Sequence, residues 1–124
     1  EQVMDKHLDQ DVLSALQEVM EEHYSELLET FLSDSEERLQ MLREADDVSQ
    51  LISAAHSFKG SSSNMGAVRL ARLCGKLEQL AKGDAPQGLT KLVGEIDGEF
   101  AFVRPLYEAE RERSLITHSP NRCF

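Results

Sequence analysis

Residues 54–67 read AAHSFKGSSSNMGA, which sets an imidazole, an ammonium and a bare backbone position within one helical turn, at His56, Lys59 and Gly60. The surrounding apolar spacing is that of a helix. Inside a helix a glycine costs about 1 kcal/mol relative to alanine, so Gly60 needs a compensating reason. On a helical projection the core stripe centres between Ala55 and Ser62, and His56 falls roughly 110° away, on the flank with Lys59, Gly60 and Ser63. Glu78, in the next amphipathic segment, falls about a quarter turn from the stripe of Leu73, Cys74 and Leu77, on an edge that a neighbouring antiparallel helix faces. A carboxylate accepting a hydrogen bond from Nδ1 would fix the histidine tautomer and leave Nε2 as an outward nucleophile. Lys59 beside it suits neutralisation of a phosphate, and Gly60 leaves room for a protein to approach. No set of metal ligands accompanies these residues.

Period 3.6 dominates wherever the chain is periodic, and alternating β-branched or aromatic runs are nearly absent. Five helices are expected. The first, about Asp11 to Met20, carries Val12, Leu13, Leu16, Val19 and Met20, with Asp9 or Asp11 as N-cap. The second, about His23 to Glu44, repeats Tyr24, Leu27, Leu28, Phe31, Leu32, Leu39 and Leu42 on one side. The third, about Asp47 to Ser63, buries Val48, Leu51, Ile52, Ala55, Phe58 and Ser62. The fourth, about Ala67 to Ala81, buries Leu70, Leu73, Cys74, Leu77 and Leu80 and ends before the turn residues GDAPQG. The fifth opens near Pro86 and carries Leu89, Leu92, Val93, Ile96, Phe100, Val103 and Tyr107, with Pro105 expected to bend or end it. From Ser114 no helical pattern is visible. Residues 113–124 are therefore expected to be a flexible tail or cloning remnant. The expected fold is all-α: an antiparallel four-helix bundle over residues 9–112, with a short N-terminal capping helix.

The length of 124 residues suits one domain, and 40% hydrophobic with 29% charged residues suits a folded, soluble one. A net charge of −10 argues against nucleic acid and anionic membrane as partners, both of which require a basic surface. Its distribution is uneven. Residues 54–82 hold Lys59, Arg69, Arg72, Lys76 and Lys82 against Glu78 alone, a basic hairpin of +4 on an acidic body. Neither a membrane-spanning run nor a signal-peptide layout is present, so a cytoplasmic protein is expected. Cys74 and Cys123 are read as thiols rather than a disulfide.

The string H-S-F-K-G-S-S-S-N-M-G-A, followed by L-A-R-L-C and L-E, resembles the histidine-containing phosphotransfer (HPt) family of bacterial phosphorelays. The correspondence spans His56, Lys59, Gly60, Ser61, Ser62, Gly66, Ala67, Leu70 and Glu78. Chain length and the leading DQDVLSALQEVM look like a stand-alone member. The resemblance implies that His56 takes a phosphoryl group from a receiver-domain aspartate and passes it to another receiver. Lys59 would meet the phosphate, Glu78 would bond Nδ1, and Gly60 would admit the receiver loops. Partners would be the receiver domains of hybrid sensor kinases and response regulators, met by a monomer that binds no cofactor itself, the Mg²⁺ being expected in the receiver's acidic pocket. Ser63, Arg69, Arg72 and Lys76 are assigned to receiver docking.

Other readings compete. His7, His23 and His118 are taken as structural or merely exposed, and the serines as a fraying helix end. KGSSS faintly resembles the end of a P-loop, but that motif needs G-x-x-x-x-G-K-[ST] between a strand and a helix, and this context is missing. A histidine-kinase dimerisation domain also carries a histidine on a helical hairpin, but such kinases usually have an acid just after it, where this chain has Ser57. A non-catalytic helical adaptor accounts for the basic residues but not for a positioned His56 and Glu78.

Overall fold

The computed structural model describes residues 7–83 and 87–118. All regular structure among them is helical: α1 Gln10–Met20, a 3₁₀ turn Glu21–His23, α2 Tyr24–Glu44, α3 Val48–Asn64, α4 Val68–Lys82 and α5 Leu89–His118. Two of the starts have a local cause. Asp9 caps α1 by accepting from the Asp11 amide at 3.0 Å, and Asp47 caps α3 by accepting from the Gln50 amide at 2.8 Å. Between α3 and α4 the chain reverses through Gly66 at φ 76°, a left-handed conformation in which a Cβ would be strained.

The long helices close a ring, α3 on α4, α4 on α5, α5 on α2 and α2 on α3, in which the α3–α4 pair packs most extensively. Tyr24 meets Glu110, Glu36 meets Arg104 and Arg43 meets Asp97, so α2 and α5 run in opposite directions. This is the expected antiparallel bundle. Its centre is filled by Tyr24, Leu28, Phe58, Leu70, Ile96 and Tyr107, all fully buried. The Tyr107 hydroxyl donates to the Met65 carbonyl at 2.7 Å, which ties the α3–α4 turn to α5 and satisfies a phenol that burial pushes above its ordinary range.

Helix α1 lies outside this ring as a cap, buried chiefly through Leu13. Backbone bonds from the Asp9 amide to the Gly66 carbonyl (2.8 Å) and from the Val68 amide to the His7 carbonyl (3.1 Å) hold its lead-in segment on the α3–α4 turn. Val19, expected on its apolar face, is 78% exposed, because a cap only a few turns long has core beneath one narrow stripe. Val48 is likewise 46% exposed at the first turn of α3, and Ala54 takes a core place instead. Leu27, Ile52, Leu80, Leu92 and Val93 are only partly buried.

Helix α5 runs further than expected. Of the two outcomes expected at Pro105, an end to the helix is excluded, because the residue sits inside it. The carbonyl that loses its partner is that of Ala101, and both residues are exposed, so water can accept that role. The helix also runs past Ser114 to His118. Ser114 is buried, and Arg113 Nη2 reaches Gln17 Oε1 on α1 at 3.2 Å and Glu110 Oε2 at 2.6 Å. Arg113 and Ser114 are therefore held by tertiary contacts rather than lying in a tail, and the helix continues from them to His118. The expected opening at Pro86 and residues 119–124 lie outside the described residues.

Candidate functional site

On α3, Ala54, Ala55, Phe58 and Ser62 turn inward, which leaves His56, Gly60 and Ser63 on the solvent face. The His56 side chain is 68% exposed, yet one edge of its ring is held. Nδ1 lies 2.9 Å from Oε2 of Glu78, whose side chain is only 5% exposed between α3 and α4. Two cations share that carboxylate: Lys59 Nζ lies 3.1 Å from Oε1 and Lys82 Nζ 3.2 Å from Oε2. Lys59 above all, then Lys82 and His56, draw the Glu78 carboxyl down to about 2 against the opposing effect of its burial. An ionised carboxylate can only accept, so Nδ1 carries the proton and donates it to Glu78. Nε2 then holds the free lone pair, on the exposed edge of the ring.

Lys59 reaches Glu78 across a gap in α4. A Cβ at Gly75 would lie 3.3 Å from Lys59 Cδ, so the lysine stem passes over this glycine. Gly60, in contrast, makes no room for any intramolecular neighbour, since a Cβ there would meet nothing within 4 Å. Beside it an open groove of about 690 Å³ runs between α3, α4 and the α1 lead-in, lined by Lys59, Gly60, Ser63, Arg72, Asp9 and Val12.

The structure thus brings together His56, Lys59 and Glu78, with Gly60, Ser63 and Arg72 along the adjoining groove. Lys76 is exposed on α4. Arg69 does not join them. It is nine residues from Glu78, about half a turn around α4, and its Nε lies 3.3 Å from Oε1 of buried Glu99 on α5. That same carboxylate receives His7 Nδ1 at 2.7 Å, and the His7 ring packs on Phe102 with centroids 4.2 Å apart. His7 and Arg69 thereby anchor the lead-in segment. His23 is exposed beside Glu26, which raises its pKa through a 3.1 Å hydrogen bond.

Lys82 and Gly75 were missed in the sequence reading. Lys82 was legible in principle, standing four residues after Glu78, whereas Gly75 acquires meaning only from the Lys59 stem on another helix. Cys74 is buried, and burial pushes its thiol up to about 12, which leaves it chemically inert. Among the described residues no group of three or more His, Cys, Asp or Glu side chains is placed to hold a metal ion. Nor, among them, is any helix long and apolar enough to cross a membrane. What remains is an oriented, outward imidazole with cations at its back and an open groove beside it.

Comparison with known proteins agrees with this chemistry. A family profile described as Hpt domain matches residues 26–103. The fold superposes on the crystal structure of histidine-containing phosphotransfer protein B (HptB) from Pseudomonas aeruginosa PAO1 with a TM-score of 0.84. The two are 50% identical, over 89% of this chain and 98% of that one. The chain is also similar to the phosphorelay intermediate protein rdeA of Dictyostelium discoideum, 37% identical over 82 residues, or 64% of this chain. It spans 32% of the length of that relative.

Proposed function

The chain belongs to the Hpt domain family, and from that premise we propose that it carries phosphoryl groups between receiver-domain aspartates, with His56 as the acceptor and donor. The observation that carries this reading is the 2.9 Å contact between Nδ1 and a buried carboxylate on a ring that is otherwise exposed. The Nε2 lone pair attacks the phosphorus of an aspartyl phosphate, an N–P bond forms, and the P–O bond to the aspartate breaks to release its carboxylate. The ring becomes cationic as it attacks. Glu78, accepting from Nδ1–H, stabilises that charge without taking the proton. Transfer to the next receiver is the same displacement in reverse. Lys59 holds Glu78 in place and, one turn from His56, supplies positive charge to the phosphoryl oxygens. The Mg²⁺ expected for such a transfer belongs to the receiver's acidic pocket.

Gly60, Ser63 and Arg72 along the groove, with Lys76 beyond it, form the docking face in this reading. Autokinase activity is not expected. Ser57, directly after His56, has no acidic function, and its Oγ accepts a 2.9 Å hydrogen bond from Arg38 Nε. A helical adaptor without transfer would have no use for an oriented imidazole. Incubation with a phosphorylated receiver domain should yield acid-labile label on the wild type and none on His56→Gln, with helicity and melting almost unchanged in the variant. Incubation with labelled ATP alone should yield none on either. Acid-labile label on His56→Gln would overturn the site assignment, and label from ATP alone would move the chain into the kinase class.

A further inference from the structure

Around α3 the residues near the nucleophile follow in the order Lys59, His56, Gly60, Ser57, at about −60°, 0°, 40° and 100° relative to His56. One edge of this exposed strip, at Lys59, faces α4 and is basic through Lys59 and Lys82. The other edge, at Ser57, faces α2, where Arg38 is half-buried and donates from Nε to Ser57 Oγ at 2.9 Å. The remaining contact of the guanidinium among the described residues is Nη1 at 3.8 Å from Glu37 Oε1, longer than a hydrogen bond. One nitrogen of a planar fork is therefore fixed by a serine, and its outer edge is left with donors to spare.

We infer that Arg38 is a specificity-determining docking residue, which takes a carboxylate from the rim of the receiver domain on the α2 side of His56. This rests on the phosphotransfer reading above and extends the docking face from the α3–α4 groove across the nucleophile to α2. The partner group follows from the chemistry. A guanidinium with its Nε restrained presents parallel N–H donors in the geometry that a carboxylate accepts, and the restraint lowers the entropy lost on pairing. Arg38 is anchored about 100° around α3 from His56, so it meets the partner's surface rather than the phosphorus. Its effect belongs in binding and not in the chemical step.

The test measures transfer from a phosphorylated receiver domain to the wild type, Arg38→Ala, Arg38→Lys and Ser57→Ala, as a function of receiver concentration. Arg38→Ala should raise the half-saturating concentration roughly five-fold and leave the saturating rate within about two-fold. Arg38→Lys should recover only part of the loss, since an ammonium lacks the fork, and Ser57→Ala should give a smaller shift in the same direction. Circular dichroism checks that each variant is folded. An unchanged half-saturating concentration in Arg38→Ala, full rescue by lysine, or a fall confined to the saturating rate would each overturn the assignment. Titrating the unphosphorylated receiver into each chain, followed by NMR shifts, must show the same order of affinities. Because that measurement needs no transfer, an Arg38 effect on binding beside a wild type that takes no label would sink the phosphotransfer reading alone.

Discussion

Gly60 stands on the exposed face of α3 one turn after His56, and open space surrounds the position its Cβ would occupy. Nothing inside the molecule requires a glycine there. Gly60→Ala should therefore stabilise the isolated chain, by up to about 1 kcal/mol in a urea titration, because alanine is the better helix former. Gly60→Gln should be at least as stable as the parent yet slow transfer far more than alanine does, since the longer side chain stands where a receiver must approach. Normal transfer by Gly60→Gln, or an unfolded protein, would show that the glycine serves the backbone instead. Glu78 allows a second expectation. Its folded value of about 2 lies below the ordinary 4.5, so its share of stability is present above about 4.5 and is lost as pH falls toward 2. Glu78→Gln keeps an acceptor for Nδ1 but removes the titration. Melting temperatures between pH 5 and 2 should fall less steeply in the variant, and parallel curves would show that other carboxylates set the acid limb.

The α3–α4 turn is the element on which the site depends. It reverses the chain so that Glu78 on α4 faces His56 on α3, and it carries the backbone bonds that seat α1. Gly66 combines φ 76° with neighbours at 3.1 Å (Asp9 O) and 3.2 Å (Val12 Cβ), so a methyl group there meets both conformational strain and a steric clash. Gly66→Ala should destabilise by about 1–2 kcal/mol or more in denaturant unfolding, opposite in sign to Gly60→Ala. A neutral Gly66→Ala would mean that α1 moves away readily, and the groove wall formed by Asp9 and Val12 would then be a poor docking surface. At the other end of the chain, α5 shows how an element outlasts its pattern. Arg113 and Ser114 are held by α1 and the bundle, so the helix continues where local periodicity has ceased.

For the molecule as a whole, charge is segregated. Residues 54–82 of the α3–α4 hairpin carry +4 within a chain of −10. Two of its lysines are occupied with Glu78 and Arg69 with Glu99, so the field that reaches a partner comes from the cluster's net charge rather than from every cation in it. An acidic receiver should be drawn to this side and repelled elsewhere. Raising ionic strength from about 0.1 M to about 1 M shortens the screening length from ~10 Å to ~3 Å. The half-saturating receiver concentration should rise accordingly while the saturating transfer rate changes little. A salt-independent half-saturating concentration would show that apolar contact, not charge, selects the partner.

The sequence by itself determined the helical class, four of the five helices to within a residue or two at each end, and the faces that carry His56 and Gly60 on α3 and Glu78 on α4. Those features are written in local periodicity and in spacings along single helices, which the 3.6-residue repeat converts directly into faces. Only the tertiary structure decided the rest. Helix packing turned Arg69 toward Glu99, put Lys82 on the Glu78 carboxylate, laid the Lys59 stem over Gly75 and brought Arg38 to Ser57. It also exposed Val19 and Val48 and carried α5 through Pro105 and on to His118. Each of these depends on which helix faces which and at what height, and that is fixed by contacts between residues far apart in the chain. A single helix's pattern states which side is buried, but not which neighbour's side chain waits there.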